Sequence, residues 1–497
     1  MVSTLLIVCL VLPVFMFFFQ YLKTLKNRHR PPGPRGFPII GNLHQLNNSD
    51  LYLQLWKLSK KYGPLFSLQL GLRQAIVVSS PELAKVVMKD HDLVFCGRPK
   101  LLGQQKLSYD GVDIAFSPYN SYWREIRKIC VVHLLSSMRV SSFSSVRHFE
   151  VKQLIKKISM HASSSKATNL SEALMCLTSS IICRIAFGRR YEDEGTEKSR
   201  FHELFNECQA MMGIFFFSDF VPFLGWIDKL TGLHARLERN FKELDTFYQE
   251  VIDEHMDPNR KPPENEDLID VLLQLKKQRS FSVDLENDHI KAVFMNMLVA
   301  ATDTTAATTI WAMTLLLKHP RVMKKVQEEI RNLGGKKDFL DEDDTQKFPY
   351  FKAVIKETLR LHLPAPLLVP RETNEPCTIG DYEIPAKTLV YVNAWAIHRD
   401  SKAWKDPEEF LPERFLNNTT DFRGQDFEFI PFGAGRRICP GMTMAIASLD
   451  LILANLLRLF DWELPKGMKK EDIDTEVLPG IAQHKKNPLC VLAKFRS

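Results

Sequence analysis

Pro431-Phe432-Gly433-Ala434-Gly435-Arg436-Arg437-Ile438-Cys439-Pro440-Gly441 is the stretch on which the reading of this chain turns. It is a glycine-loosened loop that delivers a cysteine to the start of an apolar run, 440–460, with helical spacing. The first turn of a helix exposes unpaired N–H groups and partial positive charge, and both favour a thiolate over a thiol. Gly435 and Gly441 let backbone approach a large flat ligand. Arg437, two residues before the cysteine, is placed to neutralise an anionic group beside it. A cysteine thiolate acting as axial ligand to haem iron meets all of these conditions. Two plainer readings compete. A buried cysteine is usually small apolar filler, but filler needs neither flanking glycines nor arginines. A dinucleotide loop would open with Gly433-x-Gly435, but it needs a third glycine where Ile438 stands.

Outward from this loop, most of the 497 residues read as helix. Apolar residues recur at helical spacing over 81–91, 121–135, 168–187, 200–212, 233–256, 288–318, 320–333 and 348–362. Short strand signals lie at 65–70 and 75–79, joined through Gly71, and at 378–384, 388–392 and 489–495. The stretch 396–438, rich in Pro, Asp and Gly, reads as a long loop. The acidic run Asp341–Asp344 reads as a solvated one. The pattern predicts a mainly α chain with a small β subdomain, an α+β architecture around a single core. With 45% hydrophobic and 25% charged residues, the composition excludes a disordered, collagen-like or polytopic membrane protein. Nine scattered cysteines, the nearest two being Cys176 and Cys183, exclude a zinc knuckle or a disulfide scaffold and fit a reducing compartment.

The formal charge of +7 is concentrated at one end. Residues 1–49 carry Lys23, Lys26, Arg28, Arg30 and Arg35 and no acid, which leaves 61 basic against 59 acidic residues in the rest. A near-neutral body gives no electrostatic case for nucleic acid. Residues 2–22 are uncharged and long enough to span a bilayer, with basic residues directly after them. They predict a single-pass anchor with everything beyond Lys23 in the cytosol, rather than a cleaved signal peptide, for which the basic n-region and the cleavage site are missing. The expected organisation is 1–22 anchor, 23–36 basic and proline-rich linker, and 37–497 body. Asn169 and Asn417 match the glycosylation triplet, but a cytosolic body would never meet that machinery. Pro31-Pro32-Gly33-Pro34 reads as a stiff extended spacer or as an ordinary turn-rich linker. Segment 211–226 is too short to span a membrane. It reads either as a core helix and turn or as a greasy lip dipping into the membrane surface.

Three further constellations stand out. Glu357 and Arg360 share a helix face, as do Trp123 and Arg127, whose indole N–H and guanidinium can both donate to one anion. Alone, the first pair is consistent with an exposed intrahelical ion pair, and the second reads more readily as a core Trp beside a surface Arg. The run from Asp288 to Lys318 is apolar on nearly all sides, so that helix should cross the core. Its polar island, Thr302-Asp303-Thr304-Thr305, places a carboxyl where its charged form is disfavoured. Thr304 can bond back to the carbonyl of Ala300 and loosen the helix.

Phe432, Gly435, Arg437, Cys439 and Gly441 match the signature Phe-x-x-Gly-x-Arg-x-Cys-x-Gly of the cytochromes P-450, and the resemblance extends over essentially the whole chain. It implies haem b (iron protoporphyrin IX) ligated by Cys439, with Trp123, Arg127 and Arg371 at its propionates. It further implies a buried network of Glu357, Arg360 and Arg414 behind the haem. The island resembles the family's oxygen-activation motif, with Asp303 and Thr304 relaying protons, although Ala301 stands where glycine is usual and would narrow the oxygen pocket. Substrate-pocket candidates by family position are Phe116, Leu298, Ala301, Leu367, Leu368 and Ile481, almost all apolar, so a small lipophilic substrate is expected. The implied reaction inserts one atom of O2 into that substrate with NADPH-derived electrons. No flavin or nicotinamide loop is present, so the electrons would come from a membrane-bound NADPH–cytochrome reductase, docking near Arg124, Lys128 and Arg436. The hinge and cysteine loop resemble the plant microsomal group that hydroxylates specialised metabolites at the endoplasmic reticulum. Two rivals are a haem-thiolate isomerase or dehydratase working without reductase, and a non-catalytic haem-binding protein. Neither needs the Asp303–Thr304 relay.

Overall fold

Asn287–Lys318, a helix of 32 residues, is the axis around which the chain is organised. At 1.5 Å per residue it runs about 48 Å. It begins at a capping box between Glu286 and His289 and ends at His319, where Pro320 cannot continue it and instead opens the next helix, Pro320–Leu333. Largely apolar, it is packed chiefly against Leu170–Phe187, Met442–Leu459 and Pro349–Leu361. Leu170–Phe187 and Met442–Leu459 are long and apolar enough to cross a membrane, but 72% and 67% of each is buried inside the body. Their hydrophobicity is therefore spent on the core.

The computed structural model describes residues 29–47, 50–191, 196–260, 266–279, 281–478 and 480–496. The expected anchor, 2–22, and the basic residues up to Arg28 lie outside the described residues. Helices follow the apolar periodicity closely, as in Leu233–Met256 and Pro349–Leu361. Leu51–Tyr62, Ser144–Ser163 and Leu268–Gln278 were not legible as helices in the sequence. Leu51–Tyr62 buries only Leu55, and Ser144–Ser163 buries Arg147 and Glu150 within its apolar stripe, so the periodic signal is broken in both.

The β subdomain is small. Leu65–Leu70 pairs antiparallel with Arg73–Val78, which lies parallel to Leu389–Val392, and Arg371–Glu372 closes the edge antiparallel. The stretch 378–384, expected as one strand, is a hairpin of Cys377–Ile379 and Tyr382–Ile384. It turns at Gly380, whose φ of +56° suits glycine. Residues 31–34 lie along the first strand. The Pro32 carbonyl accepts from the Ser67 N–H at 2.7 Å and the Pro31 carbonyl from the Ser67 hydroxyl at 2.7 Å. A Cβ on Gly33 would sit 2.0 Å from the Ser67 carbonyl oxygen. The proline segment is thus docked on the body, and it sets where the chain arrives from its amino-terminal end.

Candidate active site

Helix Met442–Leu459 begins three residues after Cys439, as the apolar run predicts. The Cys439 N–H donates to the Phe432 carbonyl at 3.0 Å, which folds the loop back on itself and turns the sulfur into a cavity beside the central helix. Burial pushes the Cys439 thiol up, against the N–H groups of Gly441 and Met442 and the Arg127 guanidinium, which draw it down. Desolvation outweighs the helix terminus here, the reverse of what sequence position alone implied.

The two glycines named for ligand approach differ. Gly435, at φ +70°, is required by protein: its Cβ would lie 2.1 Å from the Met88 carbonyl oxygen and 3.0 Å from the Asp92 carboxyl. Gly433 and Gly441 are the glycines that line the cavity, and a Cβ on Gly441 would face the Cys439 sulfur at 3.9 Å. Phe432 lines it as well and packs edge-on to Phe422.

Four arginines meet at this cavity. Arg127, Arg371 and Arg437 were expected there, and Arg98 was not. Arg127 donates to the Ile438 carbonyl at 2.7 Å. Arg437 donates to the carbonyls of Cys96 and Ser117, and Arg98 to those of Ala115, Val369 and Pro370. Of the four, Arg371 has a carboxylate partner in Asp92, at 3.3 Å. Burial and the nearness of Arg437 and Arg371 hold Arg98 well below the ordinary guanidinium range, and burial brings Arg437 to about 10. Such a surplus of buried positive charge is costly unless an anion joins it. Trp123 is close by but differently engaged: its indole donates to the Ile114 carbonyl at 3.0 Å, and its ring lies 4.1 Å under the Arg437 guanidinium. A thiol-bearing wall, glycines where side chains would intrude, and arginines awaiting anions together fit a flat dianionic macrocycle such as haem.

Across the cavity, Ala300, Ala301, Thr304, Thr305 and Thr308 belong to its lining. The Thr304 hydroxyl donates to the Ala300 carbonyl at 2.6 Å, as expected, but the helix continues unbroken, and Thr308, Thr309 and Thr314 bond back in the same way. Asp303 is buried one position away and meets His484 Nε2 at 3.2 Å, a partner that nothing in the sequence indicated. Leu368 lines the cavity with Ala301. Phe116 and Leu298 are buried in the main core, Leu367 packs against the cluster beneath the first strand, and Ile481 is exposed.

Behind the cysteine loop, Glu357 is fully buried between Arg360, at 2.7 Å, and Arg414, at 3.0 Å. Arg360 also donates to the carbonyls of His398, Pro407 and Glu409. Removing one partner of such a buried pair costs about 3–5 kcal/mol.

Residues 31–491 match the family described as Cytochrome P450. The chain is 48% identical to 6,7,8-trihydroxycoumarin synthase of Pastinaca sativa, covering 97% of this chain and 99% of that one. It is 46% identical to strychnine-11-hydroxylase of Strychnos nux-vomica, over 98% and 96%. It is 50% identical to cytochrome P450 71A1 of Persea americana, over 91% of each. A zebra fish cytochrome P450 solved with abiraterone superposes with a TM-score of 0.75 at 27% identity, covering 90% of this chain and 99% of that one.

Proposed function

We propose a function for this chain on one premise: it belongs to the cytochrome P450 family. It is accordingly a monooxygenase-type oxidoreductase whose cofactor is haem b with thiolate ligation. The finer reading is that it hydroxylates a small lipophilic plant specialised metabolite, with electrons from an NADPH–cytochrome reductase. Cys439 facing the buried arginine cluster across one cavity is the observation that carries this reading.

In this reading Cys439 holds the iron, while Arg98, Arg127, Arg371 and Arg437 bind and orient the propionates. Trp123 supports the Arg437 guanidinium from below. When bound, the haem supplies the activation of O2 and its transfer to carbon. Asp303 and Thr304, adjacent on the central helix, form the relay in this reading, with Thr304 delivering protons into the cavity that it lines. His484, partly exposed, links Asp303 to solvent. The apolar walls around Ala301 and Leu368 exclude water and favour fused-ring substrates, in line with the coumarin and strychnine named for the relatives.

Reductase docks on the face carrying exposed Arg124, Lys128 and Arg436. An endoplasmic reticulum anchor at 1–22 is supported by the uncharged sequence. For segment 211–226 burial supports a core helix and turn in one part and a greasy lip in the other. Phe216, Phe220 and Val221 are buried, whereas Phe223 and Trp226, with Leu230 just beyond, are exposed. The exposed residues flank the turn at Leu72, whose N–H donates to the Phe220 carbonyl, so a lip against the membrane remains our reading for that edge.

The test is the ferrous–carbonyl spectrum of the purified full chain. Thiolate ligation is expected in the natural protein and its loss in Cys439→Ser. A histidine-type spectrum, or no pigment, sinks the proposal. Fused-ring lipophiles would then be screened for substrate-induced spectral shifts.

A further inference from the structure

Residues 113–117 form an irregular stretch between Gly111 and helix Ser121–Ile129, and Ile114 and Ala115 within it line the cavity. Its four successive N–H groups are satisfied by two side-chain oxygens. Asn296 Oδ1 accepts from Ile114 at 3.1 Å and Ala115 at 3.0 Å, and Asp113 Oδ1 accepts from Phe116 at 2.8 Å and Ser117 at 2.9 Å. The two side chains join through Asn296 Nδ2 and Asp113 Oδ2 at 2.8 Å. Asn296 and Asp113 are both buried. The carbonyls of the same stretch point the other way: Ile114 accepts from Trp123, Ala115 from Arg98 and Ser117 from Arg437.

This short seam therefore ties the central helix to the arginine cluster. Backbone that forms neither helix nor sheet must find its partners elsewhere. Here two linked side chains serve four N–H groups, and three hydrogen bonds, from the Ile114 and Ala115 N–H groups and to Asp113 Oδ2, join Asn296 on the helix to the loop. Asn296 lies four and eight residues before Ala300 and Thr304, on their face of the helix, and it also lines the cavity. Yet its oxygen already takes two N–H groups and its amide serves Asp113. It meets the substrate pocket as a fastener whose polar capacity is used.

We infer that Asn296, paired with Asp113, is a positioning residue that fixes the 113–117 wall of the pocket and so sets the size of ligand admitted beside the haem. The inference rests on the proposed function for what the pocket holds, but the fastening itself does not. The Asn296→Ala variant deletes the acceptor. The isosteric Asp113→Asn change turns an amide toward the Asn296 amide and forces that side chain to flip. Exchanging the pair, Asp113→Asn with Asn296→Asp, restores a donor to every acceptor and keeps one buried charge.

The experiment is hydrogen exchange on the holoenzyme, with imidazole and 4-phenylimidazole titrated spectrally as small and large probes of the same protein. Either single change is expected to speed exchange at 114–117 about tenfold or more, with helix Pro320–Leu333 unaffected. The exchanged pair is expected to bring it back near the natural rate. The affinity ratio of the two azoles should shift about fivefold in the singles and return in the exchanged pair. The inference is overturned if exchange at 114–117 is unchanged in the singles, if the exchanged pair stays as fast as they do, or if the azole ratio is constant while the loop opens. A natural protein lacking the thiolate carbonyl spectrum would remove the proposed function, and the exchange rates would still decide for or against the fastening.

Discussion

Cys439 is held in two opposed fields. The N–H groups of Gly441 and Met442 and the Arg127 guanidinium favour its thiolate, yet burial raises its pKa. A metal cation reverses that balance, because a coordinated thiol loses its proton. Asp303 illustrates the same dependence on neighbours. A buried carboxylate without a partner is costly, and His484 supplies the partner from a loop 181 residues away in sequence. In the proposed relay, Asp303→Asn keeps the shape but removes the proton carrier. Turnover of the best spectral ligand should fall about 100-fold, with the ferrous–carbonyl spectrum intact. Turnover within a factor of about two of the natural protein would assign the proton route elsewhere. That Cys439 and Thr304 line one cavity, with Asp303 buried beside Thr304 in the chain, was legible because each breaks a local pattern: a cysteine among glycines and arginines, and a polar island in an apolar helix. Arg98 and His484 break no pattern, and only the folded chain brings them to the site.

Elements join at His398. Its Nδ1 faces the Arg360 carbonyl at 3.2 Å and its Nε2 accepts from the Ile430 N–H at 2.9 Å, so one neutral tautomer ties helix Pro349–Leu361 to the segment leading into the cysteine loop. Burial and the Arg360 charge lower its pKa to about 3. The unfolded chain takes up a proton near the ordinary histidine value of about 6.5, whereas the folded one does not until far lower pH. Stability contributed at neutral pH is therefore lost as pH falls below about 6.5, by about 2 kcal/mol at pH 5. The His398→Gln variant, which keeps an acceptor for Ile430, should lose about 2 kcal/mol less than the natural protein between about pH 7 and pH 5, read from urea midpoints. An equal acid loss in both would show that His398 is protonated when folded. Nothing in Ile397-His398-Arg399 marks this role, since both of its partners lie far along the chain.

At the scale of the molecule, exposed basic residues lie on the segments that hold the cysteine loop. Arg124 and Lys128 are exposed on the helix whose Arg127 bonds the cysteine loop, and Arg436 is exposed in the loop itself, while exposed Leu72 at the turn of the first sheet bonds to Phe220, a few residues before exposed Phe223 and Trp226. The docked Pro31–Pro34 segment brings the amino-terminal end in on that sheet too. A reductase that meets the basic face through an acidic surface is steered by charge. Raising ionic strength from about 0.01 to about 1 M shortens the screening length from roughly 30 to roughly 3 Å and should slow the first reduction. The pair Arg124→Glu and Lys128→Glu should slow it about tenfold at low salt. A rate indifferent to both would place the docking surface elsewhere.

What the sequence determined by itself was local. Periodicity set most helices, prolines and caps set their ends, and the cysteine loop set the chemistry, because each depends on residues within a turn or two of one another. Tertiary structure decided which charges are buried together, which glycines line the cavity and which pack on protein, and which loop is fastened to which helix. Those outcomes rest on desolvation and on contacts between residues tens to hundreds of positions apart. No local pattern encodes them, because a side chain's cost of burial is set by what folds over it.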